Sequence, residues 1–354
     1  MKTSLQALLG AGMSLLLGAA SARAETVVSP PIGLLTITVA PGTGTAKQVT
    51  NVSFPLAPQF VPIQGRTVGK VTAIGANTVT DSAAGWAPGG LSSASSPFLL
   101  RFLSGAAQGL TLVISTQTAN TATTLTIDPS YSAGVNLTTL GIVAGDTFEL
   151  MPADTLLTFI GTPLSSGVVG GQTATEADTI RIFTGTWNTY FYKINPGGFD
   201  GWVRNTFGLP NANNVIIPPD ALISYERIGT APFVFNFDGR VPVTTRRVAV
   251  SRQVVTPLGS GWPMDRTLQQ LGVKDLPLWV SGASATAADT LSYSTSTGTR
   301  VYFYNGTNWR RSAFGNPVAD SEVIPAGSGF IVTRVNPQSG VSILAQPLPY
   351  NLAP

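Results

Sequence analysis

Turn-forming residues interrupt this chain so often that few regular elements in it can be long. Its 354 residues include 38 Gly and 26 Pro, a share well above average usage. Between them lie short runs of Val, Ile, Leu, Thr and Phe, such as "LLTITVA" (Leu34 to Ala40), "TLVIST" (Thr111 to Thr116), "TLTID" (Thr124 to Asp128), "VYFYN" (Val301 to Asn305) and "GFIVTRV" (Gly329 to Val335). Alternation of apolar and polar residues over such short runs, with turn formers on each side, is the pattern of β-strands. The expected fold is mainly β. One short helix is predicted in "MDRTLQQLG", with Asp265 as its N-cap, Leu268 and Leu271 on one face and Gly272 where it stops.

Two β-sandwich or barrel-like domains are expected. The first spans residues 25–165, where "SGAAQGLTLVIS" and "AGDTFELMPADTL" each place a Gly-containing turn directly before a strand. The boundary falls in "GTPLSSGVVGGQTATEAD" (Gly161 to Asp178), which is rich in Gly, Ser and Thr. The second domain, 166–354, carries an internal duplication. "IIPPDALISYERI" (Ile216 to Ile228) aligns without a gap on "VIPAGSGFIVTRV" (Val323 to Val335), and both hold an Arg at the same distance past the Ile-Pro step. "ADTI" (Ala177 to Ile180) recurs as "ADTL" (Ala288 to Leu291), and "YFY" at Tyr190 to Tyr192 recurs at Tyr302 to Tyr304. Trp202 with Arg204 recurs as Trp309 with Arg310. These landmarks place the repeats at about 177–242 and 288–349.

The first 24 residues read as a secretory signal peptide: Lys2, a short apolar run from Leu5 to Ala20, and the small-x-small site "ARA" at Ala22 to Ala24. The apolar run is too short to cross a bilayer, and no later segment is long and apolar enough to span as a helix. With no Cys, there is neither a disulfide nor a lipid-acylated N-terminal Cys, so stability rests on core burial. The expected location is the periplasm, the cell surface or the exterior of a bacterium. Once Lys2 and Arg23 are set aside with the signal peptide, 18 Lys and Arg face 17 Asp and Glu. So balanced a chain has no broad field to attract nucleic acid or an anionic membrane. Charged residues make up only 10%, which weakens the usual defence of sheet edges against association and makes the protein itself one expected partner.

Zero His and zero Cys remove Ser-His-Asp and Cys-His catalysis, His or thiolate zinc sites and the usual haem ligands. No phosphate-loop or dinucleotide fingerprint occurs. A carboxylate pair for glycoside hydrolysis remains conceivable among Asp178, Asp200, Asp220, Glu226, Asp238 and Asp289. Asp178 and Asp289, however, occupy matching repeat positions and read as turn or cap residues. No catalytic residue is assigned. Calcium needs only oxygen ligands, but no D-x-D-x-D run or Gly-Asp repeat is present, so no metal or cofactor is assigned either. Trp202 and Trp309, whose neighbours are polar or glycine-rich, are the candidate platforms for stacking a sugar ring, with Tyr192 and Tyr304 beside them. Arg246, Arg247, Arg252, Arg310 and Arg311 read as solvated strand positions or carboxylate anchors rather than a nucleic-acid site.

The succession "SGAAQG…GDTFELMPADTL", "GWPMDRTLQQLGV" and "ADTL…YFYNGTNW…VIPAGSGFIVTR" resembles a family of exported bacterial β-rich proteins with no assigned function, over about Val71 to Pro349. That resemblance implies the domain class and supplies no site residues. The expected function is a non-catalytic structural or adhesive protein of the envelope or exterior, able to self-associate. A carbohydrate-binding module, with cell-surface polysaccharide as partner, is the alternative, and a carboxylate glycosidase stands third.

Overall fold

The computed structural model describes residues 31–58, 68–295 and 298–350. The expected signal peptide lies outside the described residues. The chain opens with β1 (Ile32–Val39) and β2 (Gln48–Val52). Seven strands follow: β3 (Gly69–Lys70), β4 (Ala73–Ile74), β5 (Thr78–Thr80), β6 (Phe98–Phe102), β7 (Thr111–Val113), β8 (Thr124–Thr126) and β9 (Thr147–Pro152). Next come β10 (Thr179–Phe183), β11 (Trp187–Lys193), β12 (Gly201–Arg204), β13 (Ile223–Arg227) and β14 (Phe233–Arg240). The last group is β15 (Arg246–Ser251), β16 (Val255–Gly259), β17 (Arg266–Thr267), β18 (Thr290–Thr295), β19 (Gly298–Tyr304), β20 (Trp309–Arg311), β21 (Val323–Ile324), β22 (Gly329–Thr333) and β23 (Val341–Gln346). The fold is mainly β, built of separate antiparallel sheets.

Strand pairing cuts across the boundary expected at residue 165. β1 pairs antiparallel with β14 and β2 with β13, so the first two strands join the lobe formed by β10 to β14. That lobe has a five-stranded sheet in the order β12-β11-β10-β13-β2 and a β1-β14 ribbon. Strands β3 to β9 form a four-stranded and a three-stranded sheet around their own core, an insert between β2 and β10. The final group follows the plan of the first lobe: a sheet in the order β20-β19-β18-β22-β16 and a β15-β23 ribbon. In β14, Phe233, Phe235 and Phe237 are buried while Val234, Asn236 and Asp238 are exposed, the period-two alternation of a half-buried strand.

The sequence landmarks meet in space. Asp178, at the start of β10, forms a 2.6 Å ion pair with Arg227 at the end of β13, and neither side chain is more than 6% exposed. The same carboxylate accepts from the Val169 and Ile228 amides and from the Tyr225 hydroxyl. In the second lobe Asp289 pairs with Arg334 at 2.8 Å and accepts from the Val280 and Val335 amides. Each aspartate thus fixes the loop before its strand and the end of a neighbouring strand.

The two lobes also contact each other reciprocally. The Ser53 amide, just past β2, donates to the Gly327 carbonyl, and the Gly259 amide at the end of β16 donates to the Asp220 carbonyl, both at 2.8 Å. Asp220 and Gly327 occupy matching turns before β13 and β22, and both are left-handed, with φ of 66° and 71°. Such an exchange of equivalent contacts is how a two-fold interface is built.

The predicted helix is shorter than expected. It consists of two successive 3-10 turns, Gln269–Leu271 and Val273–Asp275, separated by Gly272 at φ 71°. Asp265 does not cap it: its carboxylate accepts from the Ala326 amide, and the Thr267 hydroxyl accepts from the Gln270 amide instead.

Removing one partner of a buried ion pair leaves an uncompensated charge. Arg227→Ala and Arg334→Ala are each expected to lower the free energy of unfolding in urea by about 3–5 kcal/mol. Arg181→Ala, at the 3.5 Å pair with Glu226 where Arg181 is 40% exposed, should cost under about 1 kcal/mol. Equal losses for Arg227→Ala and Arg181→Ala would refute the structural weight given to the buried pairs.

Candidate functional site

The four aromatic residues proposed as sugar platforms do not form one. Trp202 and Trp309 are both fully buried. Each lies on the outermost strand of its five-stranded sheet with its ring turned inward, and the returning chain closes over it. The Ala212 amide donates to the Trp202 carbonyl and the Ala319 amide to the Trp309 carbonyl, both at 2.8 Å. The Trp202 indole also donates to the Gly161 carbonyl. Tyr192 and Tyr304 are half-buried and meet these tryptophans edge-on, with ring centroids 5.8 Å apart in both lobes. In β12 the residues on either side of Trp202, Gly201 and Val203, are buried as well, and the exposed Arg204 stands two positions on.

Most of the candidate carboxylates serve local structure. Asp178 and Asp289 sit in the buried clamps, and Asp200 accepts from the Asn195 amide. Glu226 accepts from the Thr179 hydroxyl at 2.6 Å, while Asp238 is exposed on β14. Asp220 lines a cavity. Among the described residues there is no cluster of three or more Asp and Glu able to hold a metal ion.

That cavity lies where the insert meets both lobes. Two adjoining hollows, of about 70 and 220 Å³, share Thr111, Pro218, Pro219 and Asp220. The smaller is lined by polar groups from every unit: Arg101 and Thr111 of the insert, Asp154 and Asp220 of the first lobe, and Arg246 of the second. The larger adds the faces of Pro129, Tyr131, Phe183 and Pro257, with Ser251 and Gln253 at its polar side. Junctions between units are where ligand clefts are commonly found.

The polar groups here are unevenly satisfied. Arg246 donates from Nε to Asp220 at 2.6 Å and from Nη1 to Gln346, but its Nη2 is buried with no protein partner. Arg101 pairs with Glu149 at 2.5 Å, and Glu149 also receives Arg240. Asp154 sits directly before Thr155, which caps the turn Leu156–Ile160. Burial alone pushes its carboxyl up to about 6, and no described residue donates to it. The cleft therefore offers one acceptor that the described residues leave unanswered, beside an arginine whose Nη2 is buried without a partner, between rings that present apolar faces. Asp220 is tied to Arg246 at 2.6 Å, whereas no described residue donates to the Asp154 carboxyl, so the two acids stand in different environments.

Sequence reading named Asp220 and Arg246 for other reasons and missed Asp154, Arg101 and Thr111. The available signal was "MPADTL", an Asp followed by a capping Thr just where a strand ends. Nothing local showed that it would line the same cavity as Arg246. The chain matches no protein-family model, no curated protein and no solved structure.

An acid whose native pKa lies above its unfolded value costs stability once both states have ionised. For Asp154 the native form holds its proton up to about pH 6, whereas an unfolded Asp loses it near 4. Stability should therefore fall as pH rises from about 4 to 6 and stay reduced above that. Asp154→Asn is expected to raise the unfolding free energy at pH 7.5 by on the order of 3 kcal/mol, with no gain below pH 4. Urea titrations of both proteins at the two pH values measure this; an equal effect at each would remove the assigned burial cost.

Proposed function

We propose that this chain is a non-catalytic exported protein of the envelope or cell exterior with an adhesive role, and that its cleft holds a hydroxyl-rich ligand of the carbohydrate class. Its two lobes are read as copies of one β unit, the first interrupted by the insert. The observation that carries the reading is the pairing of an unanswered carboxylate, Asp154, with the unpartnered Nη2 of Arg246 in one junction cavity. A sugar hydroxyl can donate to Asp154, while Pro218, Pro219, Pro257 and Tyr131 supply apolar contact for ring faces.

The non-catalytic reading rests on the ties of the acids. Double displacement or inversion at a sugar needs two carboxylates free to act across the bond, and Asp220 is committed to Arg246 at 2.6 Å. Self-association through open sheet edges has weaker support. The outer edge of β12 is bridged by Asn211 and that of β20 by Val318, so each lobe covers its own outermost strand.

A glycan panel followed by calorimetry on the chain from Glu25 onward is the test. At least one polysaccharide or oligosaccharide should bind, and Asp154→Asn should weaken that binding about tenfold, the loss of one charge-assisted hydrogen bond, without lowering thermal stability. Binding that Asp154→Asn leaves unchanged would place the ligand elsewhere. No binding across the panel would overturn the carbohydrate reading.

A further inference from the structure

Two phenylalanines stand entirely outside the fold, at matching places in the two lobes. Phe207 and Phe314 are exposed at 103% and 106% of the reference value. Each tops the turn that leaves its outermost strand, β12 or β20. The first turn is closed by bonds from the Thr206 amide to the Arg204 carbonyl, Leu209 to Thr206 and Arg204 to Pro210. The second repeats them as Ala313 to Arg311, Asn316 to Ala313 and Arg311 to Pro317. Both turns pass through a left-handed pair, Gly208 and Leu209 at φ 81° and 42°, then Gly315 and Asn316 at 76° and 44°. The rings are therefore carried on rigid, hydrogen-bonded supports.

Asn205, Thr206 and Leu209 are replaced by Ser312, Ala313 and Asn316, whereas the arginine, the phenylalanine, the glycine and the proline of the turn are present in both. A ring with nothing to pack on contributes nothing to folding, so its presence twice points outside the chain. The tips also share an excess of positive charge: Lys193 and Arg204 against Asp200 in the first hairpin, Arg310 and Arg311 against Asp320 in the second. Both acids are occupied, Asp200 by the Asn195 amide and Asp320 by the Trp309 amide and Asn308.

We infer that Phe207 and Phe314 are paired lipid-insertion tips that dock the protein on an anionic membrane surface. A protein partner would need shape, and the tips do not share one: a shallow apolar recess lined by Phe199, Val203, Leu209 and Pro210 adjoins the first tip, in a hairpin lengthened by "NPGGFDG", which has no counterpart in the second lobe. What they share is a lone aromatic ring three residues past an arginine, Arg204 in the first and Arg311 in the second. A single ring buries too little area for a specific protein interface. It suffices to sink into the boundary between headgroups and acyl chains, with cations meeting anionic lipid.

The test is flotation of the chain from Glu25 onward with vesicles of phosphatidylglycerol and phosphatidylcholine, or of phosphatidylcholine alone. The expected result is binding to the anionic vesicles that weakens at high salt. Phe207→Ser and Phe314→Ser should each lower it about tenfold, and the double variant further, with unchanged thermal unfolding because neither ring packs on the fold. In Phe207→Trp, fluorescence should shift to the blue when anionic vesicles are added. Absence of flotation, or flotation that the double variant retains, overturns the inference. Light scattering without lipid that shows Phe-dependent self-association, or Phe-dependent retention on insoluble polysaccharide with no flotation, overturns it in favour of a second copy or a glycan. Because Asp154 lies in neither tip, the cleft reading stands or falls separately.

Discussion

Each lobe depends on one buried aspartate. A carboxylate taken out of water is stable only if its lone pairs are met, and Asp178 meets a guanidinium, two backbone amides and a tyrosine hydroxyl. The consequence is geometric as much as energetic. Val169 is far in sequence from Arg227 and Ile228, and a slip of one residue in β13 would carry Arg227 to the opposite face of the sheet. The aspartate therefore penalises every register but one. Asp289 imposes the same condition on β18 and β22, with no tyrosine but with both amides and Arg334 in place.

This explains which parts of the fold were legible in the sequence. The Asp-Thr and Ile-Pro-to-Arg landmarks were found because they recur, and they are the two ends of the same ion pair. Strands such as β1 and β22 were legible because alternation is local. The partners of β1 and β2 were not, since Val39 opposite Phe233 and Val52 opposite Ile223 are joined across the whole insert. A boundary placed by composition at the Gly-rich stretch near residue 165 consequently separated strands that share a sheet. The tryptophans failed for another reason: exposure was judged from sequence neighbours, while in β12 Gly201, Trp202 and Val203 are all buried.

The candidate cleft was legible only in fragments because no single unit contains it. The loop between β2 and β10 carries the insert, while the corresponding connection in the second lobe, between β16 and β18, carries only β17 and two 3-10 turns. The insert then packs on the second lobe: Ala249, Val341 and Ile343, on the outer face of the β15-β23 ribbon, join its hydrophobic cluster. The matching face of the first lobe keeps Leu34 and Val234 exposed. One large insertion thus breaks the symmetry of the pair and creates a hollow bounded by three units, where polar side chains from each are brought together without fully satisfying one another.

Asp220 ties that hollow to the joint between the lobes. At the matching turn the second lobe has Gly327, for which a left-handed backbone costs nothing, whereas Asp220 adopts φ 66° with a side chain attached. Its carbonyl holds the Gly259 amide, and its carboxylate holds Arg246 at 2.6 Å. One strained residue therefore serves the contact between lobes with its backbone and the floor of the cleft with its side chain. Arg246 in turn begins β15 and reaches Gln346 at the end of β23. Arg246, Asp220 and Gly259 therefore form one hydrogen-bonded path from the floor of the cleft to the contact between the lobes.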